Sequence, residues 1–214
     1  MEWQNSLLCL TRDTLTASHS QQVNLLSSCG VKFIQLRSKQ TIDTALRQDM
    51  ASAVRIAHKH SSTIVINDSI DLAQDVQADG VHLGINDGTV SMARNQLGPG
   101  KLIGKTVHSL EEAISVKKQG PDYVGLGPYR YSQTKKNLQP VLSDQEFREI
   151  VEILYPTPVF LIGGLTSEDF SLLPKLGVTG IALCSTLHEQ SPPEPRIRSL
   201  VKLSKDFNHS LIFS

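Results

Sequence analysis

Short apolar segments alternate with longer amphipathic segments along most of the chain. Eight of the apolar segments have the composition of buried strands, and each is bounded by Gly, Pro, Asp or Asn. They span residues 7–11, 32–36, 63–66, 81–83, 102–103, 123–126, 159–162 and 181–183. This pattern predicts eight strands separated by helices.

The segments between these strands carry helix signals. The clearest helices are predicted at residues 45–60, 110–118, 167–176 and 196–207. In the first of them, Leu46, Met50 and Val54 recur every four residues, as on one face of a helix. Ser109 precedes the second helix and is a suitable N-cap, whereas Pro174 favours an early end for the third.

Alternating strands and helices predict right-handed crossover connections and a parallel sheet. Divided among eight units, the 214 residues leave about 27 each, enough for a strand, a helix and two short loops. We therefore expect an α/β fold with a single (β/α)8 TIM-barrel domain over residues 1–214, although counting alone leaves an open, doubly wound sheet as an alternative. The proline-rich segment 191–195 is expected to introduce the last helix rather than a second domain.

Composition and charge argue against several classes of protein. The 21 basic residues balance 21 acidic ones, so the chain lacks the positive field typical of non-specific nucleic-acid binding. Cys9, Cys29 and Cys184 have no C-x-x-C spacing, which suggests neither a zinc site nor a disulfide framework. No apolar run approaches the roughly 18 residues of a membrane span, and the first residues lack a secretory signal pattern. We expect a cytoplasmic, reduced protein without nucleic-acid or membrane partners.

Polar residues gather where the predicted strands end. In a closed barrel of parallel strands, this carboxyl end carries the active site. The residues are Gln35, Arg37, Lys39, Asn67, Asp68, His82, Asp87, Lys105, Thr106, His108, Gly163, Gly164 and Ser185, with Ser132, Thr134 and Lys135 in the long connection 127–143. Connections of that length are usually functional or disordered, so this one is predicted to belong to the site.

Each of these residues also has an ordinary structural explanation. Asp68 and Asp87 are suitable N-caps for the helices that follow them. Arg37 and Lys39 are compatible with a solvated strand end, and His82 with a packed histidine. Glycines after a strand are by themselves only the sign of a tight turn.

The joint pattern indicates two anion sites. Asp68 and Asp87 follow adjacent strands, and Mg²⁺ commonly binds one or two carboxylates together with substrate phosphates. Arg37, Lys39 and Lys135 supply positive charge that suits a diphosphate. The two glycines after strand seven and the serine after strand eight match the usual phosphate site of such barrels. One site is therefore predicted to bind a metal-bound diphosphate, and the other a monophosphate.

Several sequence blocks occur together in one order. They are Ile34-Gln35-Leu36-Arg37-Ser38-Lys39, Ile66-Asn67-Asp68, Ala78-Asp79-Gly80-Val81-His82-Leu83-Gly84 with Asp87, Asp122-Tyr123-Val124-Gly125-Leu126-Gly127-Pro128, Thr134-Lys135 and Ile162-Gly163-Gly164-Leu165. On these blocks the chain resembles the thiamine-phosphate synthase (thiamine-phosphate pyrophosphorylase) family, from about residue 31 to residue 187. The family fold is a βα barrel, in agreement with the strand count.

The resemblance implies a transferase of thiamine biosynthesis. It joins an aminopyrimidine diphosphate to a thiazole phosphate and releases diphosphate, with Mg²⁺ as cofactor. The implied contacts to the aminopyrimidine diphosphate are Gln35, Arg37, Lys39, Asn67, Thr106 and Lys135, of which Arg37, Lys39, Thr106 and Lys135 would act in catalysis. The implied Mg²⁺ ligands are Asp68 and Asp87, and the implied contacts to the thiazole phosphate are Ser132, Thr134, Gly164 and Ser185.

Two regions depart from the family pattern. Thr106 stands where the family generally has Ser, and it keeps the hydroxyl. In the long connection, Tyr131 replaces a proline, Ser132 keeps a hydroxyl, and Arg130 adds a charge whose purpose the sequence does not reveal. From its length and its place at the reactive end, we expect this connection to close over the substrate.

Two other functions are open at this point. The block Val107-His108-Ser109-Leu110-Glu111-Glu112-Ala113 resembles the related thiazole tautomerases, in which a histidine acts in proton transfer. A barrel that binds thiamine phosphates without catalysis is the other alternative, since this fold hosts many functions. The synthase is favoured because both carboxylates and the diphosphate lysine are present. The sequence does not determine the oligomeric state.

Overall fold

Eight parallel strands close into a barrel in the computed structural model, which describes residues 7–130, 142–188 and 191–212. The strands are β1 Leu7–Leu10, β2 Phe33–Leu36, β3 Thr63–Asn67, β4 Gly80–Leu83, β5 Leu102–Val107, β6 Tyr123–Leu126, β7 Val159–Ile162 and β8 Gly180–Leu183. They pair in chain order, and β8 returns to β1, where Leu8 lies beside Ala182. The predicted strands and the closed (β/α)8 TIM barrel are confirmed, and an open sheet is excluded.

β5 is the strand whose length the apolar pattern predicted least well. It was expected at residues 102–103 but continues to Val107. The residues at 104–106 are small or polar, yet Gly104 and Lys105 pair with both β4 and β6, and Thr106 pairs with β6. Backbone groups inside a closed barrel must pair whatever side chains they carry, so barrel closure extends this strand.

Helices cover the outside of the barrel between successive strands. They are α1 His19–Ser28, α2 Thr44–Lys59, α3 Ile70–Asp75, α4 Val90–Leu97, α5 Leu110–Gln119, α6 Asp144–Leu154, α7 Leu172–Leu176 and α8 Glu194–Ile212, with short 3-10 helices at Ser167–Ser171 and Ser185–His188. Ser109 caps α5 as predicted, accepting a hydrogen bond from the amide of Glu112. The helical segment predicted at 167–176 is confirmed in its bounds, but its first part is a 3-10 helix and the early end expected at Pro174 is wrong. Pro174 lies in the first turn of α7, where proline is tolerated.

Two apolar layers stabilise the barrel. Inside it, the rings of Phe33, Tyr123 and Phe160 pack edge to face, with centroids 5.2, 5.7 and 5.9 Å apart. On the outer side of the strands, alternate residues such as Ile34 and Val81 are fully buried beneath the helices. Because side chains fill the interior, a ligand can reach the barrel only at its ends.

The remaining features concern the cysteines and the longest helix. Cys9, Cys29 and Cys184 are all free thiols. α8 buries Ile197 and Leu200 against the barrel. Within the described ranges, no helix combines the length and the apolarity needed to cross a bilayer.

Candidate active site

The carboxyl ends of β2, β3 and β5 bring three predicted diphosphate residues to one part of the barrel mouth. Asn67 ends β3, and Thr106 is the second-last residue of β5. Arg37 directly follows β2, and its amide donates to Thr11 Oγ1 at 3.1 Å. Because β2, β3, β4 and β5 are parallel and pair in chain order, these residues lie at the same end of the barrel.

Asp68 and Asp87 lie in direct contact at this mouth, side chain to side chain. Lys39 Nζ donates to Asp68 Oδ2 at 2.5 Å. Burial, and then the neighbouring Asp68 carboxylate, raise the pKa of Asp87 above its ordinary value, and Lys39 offsets only part of this effect. Two like charges held together in this way leave an excess of negative charge that suits a cation.

Neither aspartate caps a helix. Ser69 caps α3 and Thr89 caps α4, each accepting a hydrogen bond from a first-turn amide. The helix-cap explanation of Asp68 and Asp87 is therefore wrong. Asp68 also has a φ of 68°. Left-handed backbone costs a residue with a side chain about 1–2 kcal/mol, and strain of this kind is concentrated at functional sites.

The loop between β4 and α4 holds the Asp87 carboxylate in place. Asp87 Oδ2 accepts a hydrogen bond from the amide of Gly84 at 2.8 Å. A Cβ atom at Gly84 would lie 2.6 Å from that oxygen. A side chain at residue 84 would displace the carboxylate from this position, which explains the glycine here.

Lys105 supports the same loop and was not assigned a role from the sequence. Its side chain is buried, and Nζ donates to the carbonyls of Gly84 at 2.6 Å and Gly88 at 2.8 Å. Burial lowers the pKa of Lys105, and the nearby Asp87 opposes this shift. A lysine inside a strand that is otherwise buried is the signal that could have identified it, since a buried ammonium needs partners.

A buried chain of polar side chains connects two predicted substrate residues, Gln35 and Thr106. His82 Nε2 lies 2.9 Å from Thr106 Oγ1, and its Nδ1 lies 3.1 Å from Tyr123 Oη. Tyr123 in turn is hydrogen-bonded to the side chain of Gln35. His82 is therefore a packed histidine that also orients Thr106. This series of hydrogen bonds fixes the side chains of Gln35 and Thr106 within the barrel.

Asp13 is a second residue that sequence reasoning missed. Its carboxylate accepts hydrogen bonds from Ser38 Oγ at 2.6 Å and from the amide of Lys39 at 2.7 Å. Burial by itself would raise the pKa of Asp13, but these bonds and His19 outweigh it and lower the pKa. The ionised carboxylate thus fixes the backbone from which Lys39 extends. No local motif marks Asp13, because its partners lie far away in sequence.

The predicted monophosphate residues lie at the ends of β7 and β8, which are neighbouring strands. Gly163 and Gly164 follow β7 with φ values of 107° and 61°. Ser185 opens the 3-10 helix after β8. Thr186 Oγ1 donates to the carbonyl of Leu165 at 2.7 Å. This bond joins the two turns, so the structure brings Gly164 and Ser185 to one region of the mouth.

The long connection between β6 and α6 is described only at its two ends. Ser132, Thr134 and Lys135 lie outside the described residues, so their contacts and the closure of the connection stay predictions. At its described start, the amide of Tyr129 donates to the carbonyl of Ile162 at 2.9 Å.

The residues at the mouth fit a divalent cation that binds together with substrate. Among the side chains that the structure describes, no group of three or more His, Cys, Asp or Glu could hold a metal ion. Asp68 and Asp87 still supply the one or two carboxylates that Mg²⁺ commonly uses, with phosphate and water oxygens completing its shell. Burial, and then the neighbouring Asp68, raise the pKa of Asp87, and a divalent cation would offset both effects.

Comparison with known proteins places this geometry in a family. The sequence matches the family model for thiamine monophosphate synthase over residues 7–187. The thiamine-phosphate synthase of Phocaeicola vulgatus is 33% identical over 198 residues, which cover 91% of this chain and 95% of the relative. That of Saccharophagus degradans is 33% identical over 216 residues, covering 99% and 98%. A solved structure of thiamine phosphate pyrophosphorylase from Pyrococcus furiosus superimposes with a TM-score of 0.83 at 27% identity, covering 95% of this chain and 97% of that one.

Proposed function

The chain belongs to the thiamine monophosphate synthase family, and we propose that it joins an aminopyrimidine diphosphate to a thiazole phosphate, forming thiamine phosphate and releasing diphosphate. The observation that carries this proposal is the contact of Lys39, Asp68 and Asp87 at the barrel mouth. Two carboxylates beside a cationic side chain are what a metal-bound diphosphate requires. The turns at Gly164 and Ser185 would receive the phosphate of the second substrate.

Lys39 and Arg37 supply the positive charge on the diphosphate side. The Lys39 side chain is 57% exposed although it is paired with Asp68, so a diphosphate at the mouth can reach its ammonium group. Arg37 extends from the same segment, and a guanidinium binds phosphate oxygens through two parallel hydrogen bonds. Lys135 would add a third positive charge from the long connection.

Asp68 and Asp87 would hold the Mg²⁺, which when bound would neutralise charge on the diphosphate. Both carboxylates are positioned before any ligand arrives. The amide of Asp68 donates to the carbonyl of His82 at 2.8 Å, and Asp87 is held by Gly84. Preorganised charges of this kind stabilise a leaving anion without reorganisation during the reaction.

The proposed reaction needs no nucleophile or strong base from the protein. The bond between the aminopyrimidine methylene and the diphosphate breaks with its electron pair on the diphosphate. The aminopyrimidine ring delocalises the resulting positive charge, and the lone pair of the thiazole nitrogen forms the new bond. The protein's part is to bind, orient and neutralise. Thr106, held by His82, would donate its hydroxyl to a diphosphate oxygen.

A coupling assay tests this function directly. The purified protein is incubated with both phosphorylated substrates, in Mg²⁺ or in excess EDTA, and the products are separated by chromatography. We expect thiamine phosphate and diphosphate in equal amounts, and only with Mg²⁺. Full turnover in EDTA would contradict the assignment of Asp68 and Asp87 as metal ligands.

The same assay distinguishes the two alternatives. An isomerised thiazole as sole product would indicate a tautomerase, and binding of both substrates without product would indicate a non-catalytic barrel. His108, the residue on which the tautomerase depends, donates from Nδ1 to the carbonyl of Gly127, and its amide donates to Glu112 Oε2 at 2.6 Å. These bonds suit a residue of the site wall, which supports the synthase.

A further inference from the structure

Arg130 makes an unusually complete set of bonds for a residue at the start of a long connection. Its Nη1 and Nη2 donate to the two carboxylate oxygens of Asp169, each at 2.8 Å. Nη1 also donates to the carbonyl of Gly164 at 3.3 Å. The guanidinium carbon lies 4.8 Å from the centre of the Tyr129 ring. One side chain thus joins the end of β6 to the predicted phosphate turn after β7.

We propose that Arg130 is a positioning residue for the thiazole-phosphate subsite, and that it acts by orienting the Gly164–Leu165 peptide of the turn after β7. This inference rests on the proposed function, because the phosphate at that turn is the one carried by the thiazole substrate. This role would explain the positive charge of Arg130, which the family pattern does not contain.

The backbone around Arg130 leaves this turn little freedom. The amide of Arg130 donates to the carbonyl of Gly163 at 3.1 Å. A Cβ atom at Gly163 would lie 2.7 Å from Pro128 Cα, so the two segments are in van der Waals contact and only glycine fits between them. The Arg130 side chain adds the bond to the next carbonyl, that of Gly164.

The bond to the Gly164 carbonyl determines where the following amide points. In a trans peptide the C=O and N–H groups point in opposite directions. Because the Gly164 carbonyl is turned toward Arg130, the N–H of Leu165 is turned away from it. Within the part of the chain that the structure describes, the amides of Gly164 and Leu165 have no acceptor. Successive amides without an acceptor form a backbone site for an anion.

Asp169 holds the guanidinium from the other side. Its carboxylate is buried and also accepts a hydrogen bond from the amide of Thr166 at 2.7 Å. Burial alone would raise the pKa of Asp169, but the bonds from Arg130 and Thr166 outweigh it and lower the pKa. The ionised carboxylate neutralises Arg130 and occupies both of its Nη atoms. Because its charge is neutralised and its three hydrogen bonds go to Asp169 and Gly164, we assign Arg130 to shaping the turn rather than to binding the phosphate directly.

Binding measurements on three variants test the proposal. The variants are Arg130→Gln, Arg130→Lys and Asp169→Asn, compared with the wild-type protein. Misplacement of a binding group by a fraction of an ångström has large consequences, so we expect Arg130→Gln to raise the KM for thiazole phosphate by about 10- to 100-fold. The kcat and the KM for the aminopyrimidine diphosphate should stay within about twofold, because the residues of that side are untouched.

Calorimetric titration with thiazole phosphate, and with inorganic phosphate as the minimal probe, gives a readout that does not depend on turnover. We expect both affinities to fall in Arg130→Gln, and to fall less in Arg130→Lys, which keeps one charged contact with Asp169. Asp169→Asn should weaken phosphate binding as well. Tighter binding in Asp169→Asn would overturn the proposal, because it would mean that a released Arg130 binds the phosphate itself.

Arg94→Gln is the matched control. Arg94 also pairs with an aspartate, Asp122, at 2.6 Å, but it lies at the amino end of the barrel. We expect it to lower thermal stability without changing the affinity for either phosphate. If Arg130→Gln lowers stability in the same way and leaves both affinities unchanged, the Arg130–Asp169 pair is only structural and the proposal is wrong. A wild-type protein that binds thiazole phosphate but forms no thiamine phosphate would contradict the proposed function. The phosphate affinities of the variants relative to the wild type would still decide the role of Arg130.

Discussion

The two ends of the barrel use aspartate in different ways. At the amino end, Asp79 precedes β4 and accepts the amide of Ile64 at 2.8 Å, and Asp122 precedes β6 and accepts the amide of Ile103 at 2.7 Å. Each carboxylate therefore bonds to a strand of the barrel. Each also meets a basic side chain, that of His58 or Arg94. These aspartates tie loops to the sheet, which is a structural role.

At the carboxyl end, by contrast, Asp68 and Asp87 face each other, and the ammonium group of Lys39 is hydrogen-bonded to Asp68. The arrangement raises the pKa of Asp87 and places Asp68 in left-handed backbone. Neither feature stabilises the fold. The same residue type therefore contributes to stability at the amino end and to ligand binding at the carboxyl end. This agrees with the general rule that barrels of this kind carry their active sites at the carboxyl end.

Asp87→Asn should produce the largest effect on activity. Loss of one of two carboxylates at the metal site, with its charge, should lower kcat/KM by about 100-fold or more. Thermal stability should stay the same or rise, because the repulsion with Asp68 is removed while the amide oxygen can still accept the Gly84 N–H. The measurement pairs steady-state kinetics with thermal unfolding. A large loss of thermal stability in Asp87→Asn would contradict the inference that the aspartates at the carboxyl end do not stabilise the fold.

Asp122→Ala should produce the reverse result. It leaves the buried amide of Ile103 without its side-chain acceptor and Arg94 without its carboxylate partner. The expected cost is about 1–3 kcal/mol of unfolding free energy, measured by urea denaturation. Turnover should stay within about twofold, because the substitution lies at the end away from the chemistry. A parallel loss of turnover at temperatures where the variant is folded would show that the two ends are coupled.

The smallest expected effect is a pH dependence of stability that comes from Asp87. Its pKa in the folded protein lies above the ordinary value of 3.8, so over the interval between them the folded state binds more protons than the unfolded chain. The unfolding free energy of the wild type should therefore fall as pH rises through this interval. The Asp87→Asn variant has no carboxyl group that titrates at this position. The difference between its unfolding free energy and that of the wild type should therefore increase as pH rises through the same interval. A stability difference between the two proteins that is constant with pH would contradict the raised pKa of Asp87.

The site was predictable from the sequence where its residues directly follow strands. Arg37, Asn67, Asp68 and Thr106 were placed at the mouth because a strand end is a local feature, and the structure puts them there. The residues that were missed hold the others in place. Asp13 contacts Lys39 across a separation of 26 residues, and no local pattern joins such a pair.

The sequence by itself determined the eight strands and the parallel α/β class, because apolar periodicity is local and strands that alternate with helices favour right-handed crossovers. Only the tertiary structure decided which polar groups meet. Closure of the barrel brings Asp68 to Asp87 and Lys105 to the Asp87 loop. It also brings Arg130 to Asp169 across 39 residues. The physical reason is that these contacts depend on which strands become neighbours and on how deeply a charge is buried. Neither property is determined by the residues of one segment alone.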